Sequence, residues 1–262
     1  MKPGRRFGVR TAYMNRKIIA IGGGRMPRTQ EIDREVVRLA GKRSPVCLFI
    51  PTASMDDPGY CARVERQYRG LLGCRFKTLL LYRDRPSASE IRDTILNSDI
   101  IYVGGGNTLR MMKLWRRLGV DHYLDRARRN GTVLSGSSAG ALCWFREGNS
   151  DSRSYSDASD MTLIKVTGLH FVDALVCPHY DVERHRQPGL RAMMKKTAGV
   201  AIALDNCSAI EIVDDEYRIL TSARRKHAYK IFWHKSRYYR IPLRKDGQFR
   251  KLAPLLKRGI EE

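Results

Sequence analysis

Val133-Leu134-Ser135-Gly136-Ser137-Ser138-Ala139-Gly140-Ala141 is a short aliphatic run that ends in Gly-x-Ser-x-Gly. It passes directly into Ala141-Leu142-Cys143-Trp144-Phe145, whose spacing predicts the start of a helix. Strand, sharp turn and helix in that order describe a nucleophile elbow, in which the backbone at Ser138 is strained and its hydroxyl is pushed out at the end of a sheet. Gly136 and Gly140 remove the side chains that would obstruct so tight a turn. The competing reading is a flexible Gly/Ser loop, the usual place for these residue types. The flanking sequence decides between them.

Upstream, Lys17–Ile21 reads as a buried parallel strand closed by Gly22-Gly23-Gly24, followed by a helix with Ile32, Val36 and Val37 on one face. Val46–Ile50 is a second strand stopped by Pro51, and residues 76–81 read as a third. Ser87-Ala88-Ser89-Glu90 has the form of a capping box and opens a helix through Ile91 and Ile95. Ile100–Val103 then runs into Gly104-Gly105-Gly106-Asn107-Thr108 and another helix. This alternation predicts an α/β fold with a doubly wound, mostly parallel sheet, whose sites lie at the carboxyl ends of the strands. After a polar, turn-rich stretch at 147–160, Ala174-Leu175-Val176-Cys177 is a further strand ending in Pro178-His179-Tyr180-Asp181. The last third, with short runs at 200–204, 208–213, 217–220, 229–233 and 238–241, predicts an antiparallel β supplement. Residues 1–13 read as a disordered basic extension, 14–243 as a single α/β domain and 244–262 as a basic tail.

The chain has 262 residues, 42% of them hydrophobic, enough for one large core. Lys+Arg number 49 against 27 Asp+Glu, a net charge of +22 that is spread along the chain. Such a surface attracts polyanions without specificity or draws acidic substrates toward a cleft. No zinc-finger spacing, RNP-like aromatic motif or basic zipper accompanies it. The six cysteines form no Cys-x-x-Cys pair, and several sit in apolar runs, the pattern of reduced core thiols in a cytoplasmic protein. No apolar stretch is long enough for a membrane span. The glycine turns at 22 and 104 match neither a dinucleotide fingerprint nor a P-loop. The turn at 104–108 reads better as amides bared at a helix N-terminus, where they could stabilise an oxyanion together with the amide of Ala139.

A serine nucleophile requires a base and a group that orients the base. Among the histidines His179 is best placed, just past a strand end in the manner of Ser138. Acid candidates after the elbow are Asp151, Asp157, Asp160, Asp173 and Asp181. Only 41 residues separate Ser138 from His179, a compactness that points away from the α/β-hydrolase fold.

Four motifs in order, Tyr102-Val103-Gly104-Gly105-Gly106-Asn107-Thr108, Gly136-Ser137-Ser138-Ala139-Gly140, Cys177-Pro178-His179-Tyr180-Asp181 and Ala203-Leu204-Asp205-Asn206, resemble the peptidase E (aspartyl dipeptidase) family, whose wider relatives include cyanophycinase. The resemblance spans residues 14–241 and implies a glutamine-amidotransferase-like (flavodoxin-like) fold, with serine in place of the cysteine nucleophile. It implies hydrolysis of dipeptides with an N-terminal aspartate, without a metal or other cofactor. Carried over, Ser138 is the nucleophile, His179 the base, and the amides of Gly105 and Ala139 the oxyanion hole. Asp151, in Asn149-Ser150-Asp151-Ser152, is the nearest match to the family's acid, although the local sequence departs from the family's pattern. Asn107 and Arg186 are the expected substrate contacts, Arg186 being chosen over Arg184 and Arg191 as the bidentate partner of an aspartyl side chain. The expected partner is a small peptide, with neither specific nucleic acid nor membrane, and with a homodimer left open. Two rivals remain: a cyanophycinase-like, isopeptide or ester hydrolase, and a non-catalytic basic binding protein on the same fold.

Overall fold

The computed structural model describes residues 16–182 and 184–259; the expected extension at 1–13 lies outside them. Five parallel strands form one side of a first sheet: β1 (Lys17–Ile21), β2 (Val46–Ile50), β3 (Arg75–Thr78), β4 (Ile100–Val103) and β5 (Val133–Ser137). They lie side by side as β1-β5-β4-β2-β3. Four longer helices connect them: α1 (Met26–Leu39), α2 (Pro58–Glu65), α3 (Ala88–Leu96) and α4 (Thr108–Leu118), the last continued by α5 (Val120–Arg129). The capping box at Ser87 and Glu90 is present at the start of α3. β1 is apolar from Ile18 to Ile21 because that stretch is buried on both faces. Ile18 and Ala20 enter one core, and Ile19 and Ile21 enter the other.

At the elbow the helix is much shorter than its spacing predicts. α6 (Ala139–Leu142) makes a single turn, and the chain leaves at once as β6 (Phe145–Ser150). This strand starts a second sheet with β7 (Ile164–Thr167), β8 (Val172–Cys177) and β9 (Ala201–Leu204), with α7 (Arg186–Lys195) between the last two. The apolar run Leu142 to Phe145 serves as the hinge between sheets. Its side chains are fully buried in a core that also holds Val176 and Ile202.

The antiparallel supplement is divided between the two sheets. β10 (Ser208–Val213) and β11 (Glu216–Thr221) extend the first beyond β1, whereas β12 (Ala228–His234) and β13 (Arg237–Pro242) extend the second beyond β9. The basic segment from 244 is built into the fold. β14 (Arg250–Lys251) pairs with β11, and α8 (Leu252–Leu255) buries Leu252 and Leu255. None of the six cysteines is in a disulfide, and among the described residues no helix is long and apolar enough to cross a membrane.

Asp33 lies fully buried on α1. Its carboxylate is 3.1 Å from Thr29 Oγ1, Gln67 Nε2 and Tyr68 Oη. The hydrogen bonds that Thr29, Gln67 and Tyr68 donate to Asp33 favour its charged form. Burial opposes them, is the larger effect, and raises the Asp33 pKa to about 7. A carboxyl whose folded pKa lies above its unfolded value stabilises the fold fully at low pH and loses that contribution as pH rises through about 7. Asp33→Asn should therefore melt at a higher temperature than the parent at pH 8, with the difference shrinking toward pH 4 to 5; parallel thermal melts at the two pH values check this.

Candidate active site

Three chain segments converge on the carboxyl end of β1. The Ser138 amide donates to the Ile21 carbonyl (3.1 Å), the His179 amide to the Gly22 carbonyl (2.8 Å) and the Cys207 amide to the Gly23 carbonyl (2.8 Å). Ser138 and His179 come from different sheets, at the ends of β5 and β8, yet are anchored to neighbouring residues of one loop.

The elbow is formed as its glycines predict. Ser138 sits at φ 58°, ψ −111°, a sparsely populated conformation that holds its side chain clear of the strand. A methyl group on Gly140 would lie 2.0 Å from the Val103 carbonyl oxygen, and one on Gly136 would lie 2.6 Å from the carbonyl oxygens of Gly140 and Val103. The two arms of the elbow thus press on each other and on the end of β4. His179, also at positive φ (54°), presents Nε2 to Ser138 Oγ at 2.8 Å.

The other ring nitrogen of His179 meets Asn206, not Asp151. Nδ1 lies 2.7 Å from Asn206 Oδ1, just past the end of β9. With the amide oxygen toward the ring, Nδ1 carries the proton and Nε2 offers its lone pair to the Ser138 hydroxyl, the tautomer a general base requires. Asn206 is held through its own amide, which donates to Asp181 Oδ1 (2.8 Å); Asp181 in turn pairs with Lys226. Asp205 accepts from the His227 amide (2.9 Å) through one oxygen, while its other oxygen is buried without a hydrogen-bond partner, and burial raises its pKa.

The assignment of Asp151 as the triad acid is corrected on this geometry, because both nitrogens of the imidazole are already taken. Asp151 Oδ2 instead pairs with Arg186 Nη2 at 3.1 Å. Arg186 is corrected with it. It is 1% exposed, and its guanidinium also donates to the Asn149 carbonyl (2.8 Å), so it ties the 149–160 loop to α7 and is not presented to a substrate. Asn107 is likewise committed to structure. Its Oδ1 accepts from the Arg110 amide to cap α4, and its Nδ2 donates to the Ser152 carbonyl (3.1 Å).

Of the two expected oxyanion donors, the Ala139 amide has no acceptor among the described residues, as befits the first turn of a helix. Gly105 packs against the nucleophile, where a methyl group would lie 3.3 Å from Ser138 Cβ. Its amide donates to Tyr60 Oη at 3.2 Å. Beside these groups opens a pocket of about 680 Å³, bordered by Gly24, Tyr60 and Ser137 and by the exposed arginines Arg25, Arg63 and Arg66.

Sequence reasoning missed Asn206 because only acids were considered for the third position. Its signal was the one used for Ser138 and His179, a polar side chain immediately past an apolar parallel strand. Gly23 carries a second missed signal. A methyl group there would stand 2.3 Å from Asn206 Oδ1 and 2.4 Å from His179 Nδ1. Gly23→Ala should therefore abolish turnover by separating that pair. Asn206→Ala should lower kcat by about 10²-fold or more, whereas Asp151→Asn should leave the chemical step close to that of the parent; steady-state kinetics of the three variants check these outcomes.

Known proteins resemble the chain over most of its length. A Bacillus subtilis (strain 168) protein named uncharacterized peptidase YgaJ is 34% identical over 233 residues, covering 87% of this chain and 97% of its own. Two solved structures share the fold. A peptidase from an acI-B1 Actinobacterium has a TM-score of 0.70 at 16% identity, covering 92% of this chain and 98% of its own. A candidate peptidase E from Listeria monocytogenes EGD-e has a TM-score of 0.61 at 21% identity, covering 79% and 98%. The family model for peptidase family S51 matches residues 18–220, and the chain belongs to that family.

Proposed function

We propose that this chain is a serine peptidase that cleaves short peptides through an acyl-enzyme on Ser138, preferring dipeptides with an N-terminal aspartate. The observation that carries the reading is the 2.8 Å approach of a strained Ser138 to a histidine whose other nitrogen is already held. His179 takes the Ser138 proton as Oγ attacks the scissile carbonyl, then returns it to the leaving amine; water, activated by the same base, releases the acyl group. Asn206 keeps the imidazole in register without adding charge. Six free cysteines fit a cytoplasmic enzyme.

The acidic preference draws its support from the pocket wall. Among the described residues no carboxylate is paired with Arg25 or Arg66, and the one nearest Arg63 is Asp57 at 3.9 Å. Three cations among the residues bordering an otherwise largely apolar pocket favour a small anionic side chain.

Stoichiometric labelling of the native chain by a fluorophosphonate, lost in Ser138→Ala and in His179→Ala, is the expected result of intact-mass analysis. An unlabelled native protein that is folded would remove the serine mechanism. On a panel of Asp-X dipeptides, neutral dipeptides and aryl esters, Asp-X should lead in kcat/KM. Arg66→Gln combined with Arg63→Gln should raise KM for Asp-X about tenfold while leaving neutral peptides unaffected; equal KM changes for both classes would exclude the arginine rim as the selector.

A further inference from the structure

Tyr60 packs against the glycine turn that reaches the nucleophile. Its backbone amide is fixed by the side chain of Asp57, the N-cap of α2 (2.6 Å), with Pro58 beginning the helix. Its ring makes an edge contact with Phe49, centroids 5.2 Å apart, and lies along the end of β4, where a methyl group on Gly104 would come within 2.9 Å of it. The ring is thus directed at the turn that follows β4, and its hydroxyl meets the Gly105 amide at 3.2 Å. Gly105 is the residue packed against Ser138.

A hydroxyl has one proton to give and two lone pairs with which to accept. The Gly105 N–H uses one lone pair. The proton has no acceptor among the described residues, and Tyr60 borders the pocket that opens beside Ser137. The Gly105 amide is therefore not directed at open space in the resting site, since the phenol oxygen occupies the position it points to.

We propose that the Tyr60 hydroxyl is a catalytic residue, a hydrogen-bond donor to the tetrahedral oxyanion opposite the Ala139 amide, with the Gly105 amide acting behind it. As the Oγ–carbon bond forms, the carbonyl π electrons move to oxygen and the Ser138 proton passes to His179 Nε2. The phenol keeps its proton and shares it with the new oxyanion, and collapse returns those electrons as the amine leaves. Accepting from Gly105 polarises the O–H and makes it a stronger donor. Burial pushes the phenol pKa up, so that the donor persists across the neutral range. This assignment rests on the serine mechanism proposed above and adds a side chain to it.

The test compares native enzyme, Tyr60→Phe and Ser138→Ala, using intact-mass labelling by a fluorophosphonate and inhibition by a peptide boronic acid, a mimic of the tetrahedral state. Tyr60→Phe retains the ring contacts with Phe49. The expected result is a labelling rate and a kcat lowered by about 10-fold to 10³-fold, KM changed less than about threefold, and boronate affinity lowered in proportion to kcat. Tyr60→Phe that labels, turns over and binds boronate like the native chain, or faster, overturns the proposal and returns Gly105 to the role of direct donor. That outcome leaves the serine mechanism intact, whereas a native chain not labelled at Ser138 removes both. Site-specific fluorotyrosine replacement of Tyr60 supplies a readout that a purely structural role would not move: the alkaline limit of the labelling rate should shift to lower pH, and an unchanged limit counts against the proposal.

Discussion

Everything in the site depends on three consecutive peptide carbonyls. Ile21, Gly22 and Gly23 each accept one backbone amide, from Ser138, His179 and Cys207, so the nucleophile, the base and the segment carrying Asn206 are referenced to a single loop. Side chains at hydrogen-bonding distance are useful only if their backbones cannot drift, and a shift of about 1 Å can cost a large factor in rate. The two sheets could not supply that registration by themselves, because Ser138 belongs to one and His179 to the other. The loop also has to be free of side chains. Gly23 at φ 140° leaves the space in which the His179–Asn206 hydrogen bond forms.

The neutral amide at the third position changes what the triad can do. A carboxylate would orient the imidazole and also offset its charge during proton transfer; Asn206 only orients it. The nearby carboxylates act from a distance. Asp181 grips the backbone of Asn206 and is itself paired with Lys226, while Asp205 is turned toward the His227 amide. With less compensation on the histidine side, more of the transition-state stabilisation falls on the donors that face the oxyanion.

Much of this was legible in the sequence. Parallel strands buried on both faces appear as unbroken apolar runs such as residues 18–21 and 100–103, and polar residues just past the ends of β5 and β8, Ser138 and His179, mark the site. The glycines at 136 and 140 announced the elbow because backbone contact leaves no alternative there. The illegible parts are long-range. Periodicity in the run after the elbow could not distinguish a helix from the single turn of α6, since burial on every side erases the alternation that would separate them. Asp151 was a reasonable acid by proximity in sequence, but its partner is decided by where α7 places Arg186. Nor does the pattern 244–259 advertise its attachment, because a two-residue strand and two leucines are too short a signal beside so many basic residues.

The position of β1 has a further consequence for biosynthesis. It precedes every other described strand in sequence, yet in the finished sheet it lies between β5 and β10, whose pairing residues follow more than a hundred positions later. An emerging chain therefore carries β1 without a neighbouring strand until β5 follows, and the loop that registers Ser138, His179 and Asn206 cannot be locked before Ser208 arrives to close it. Hydrolytic competence thereby waits for residues well beyond the nucleophile. A chain that has emerged only as far as β8 has the serine but not the locked site.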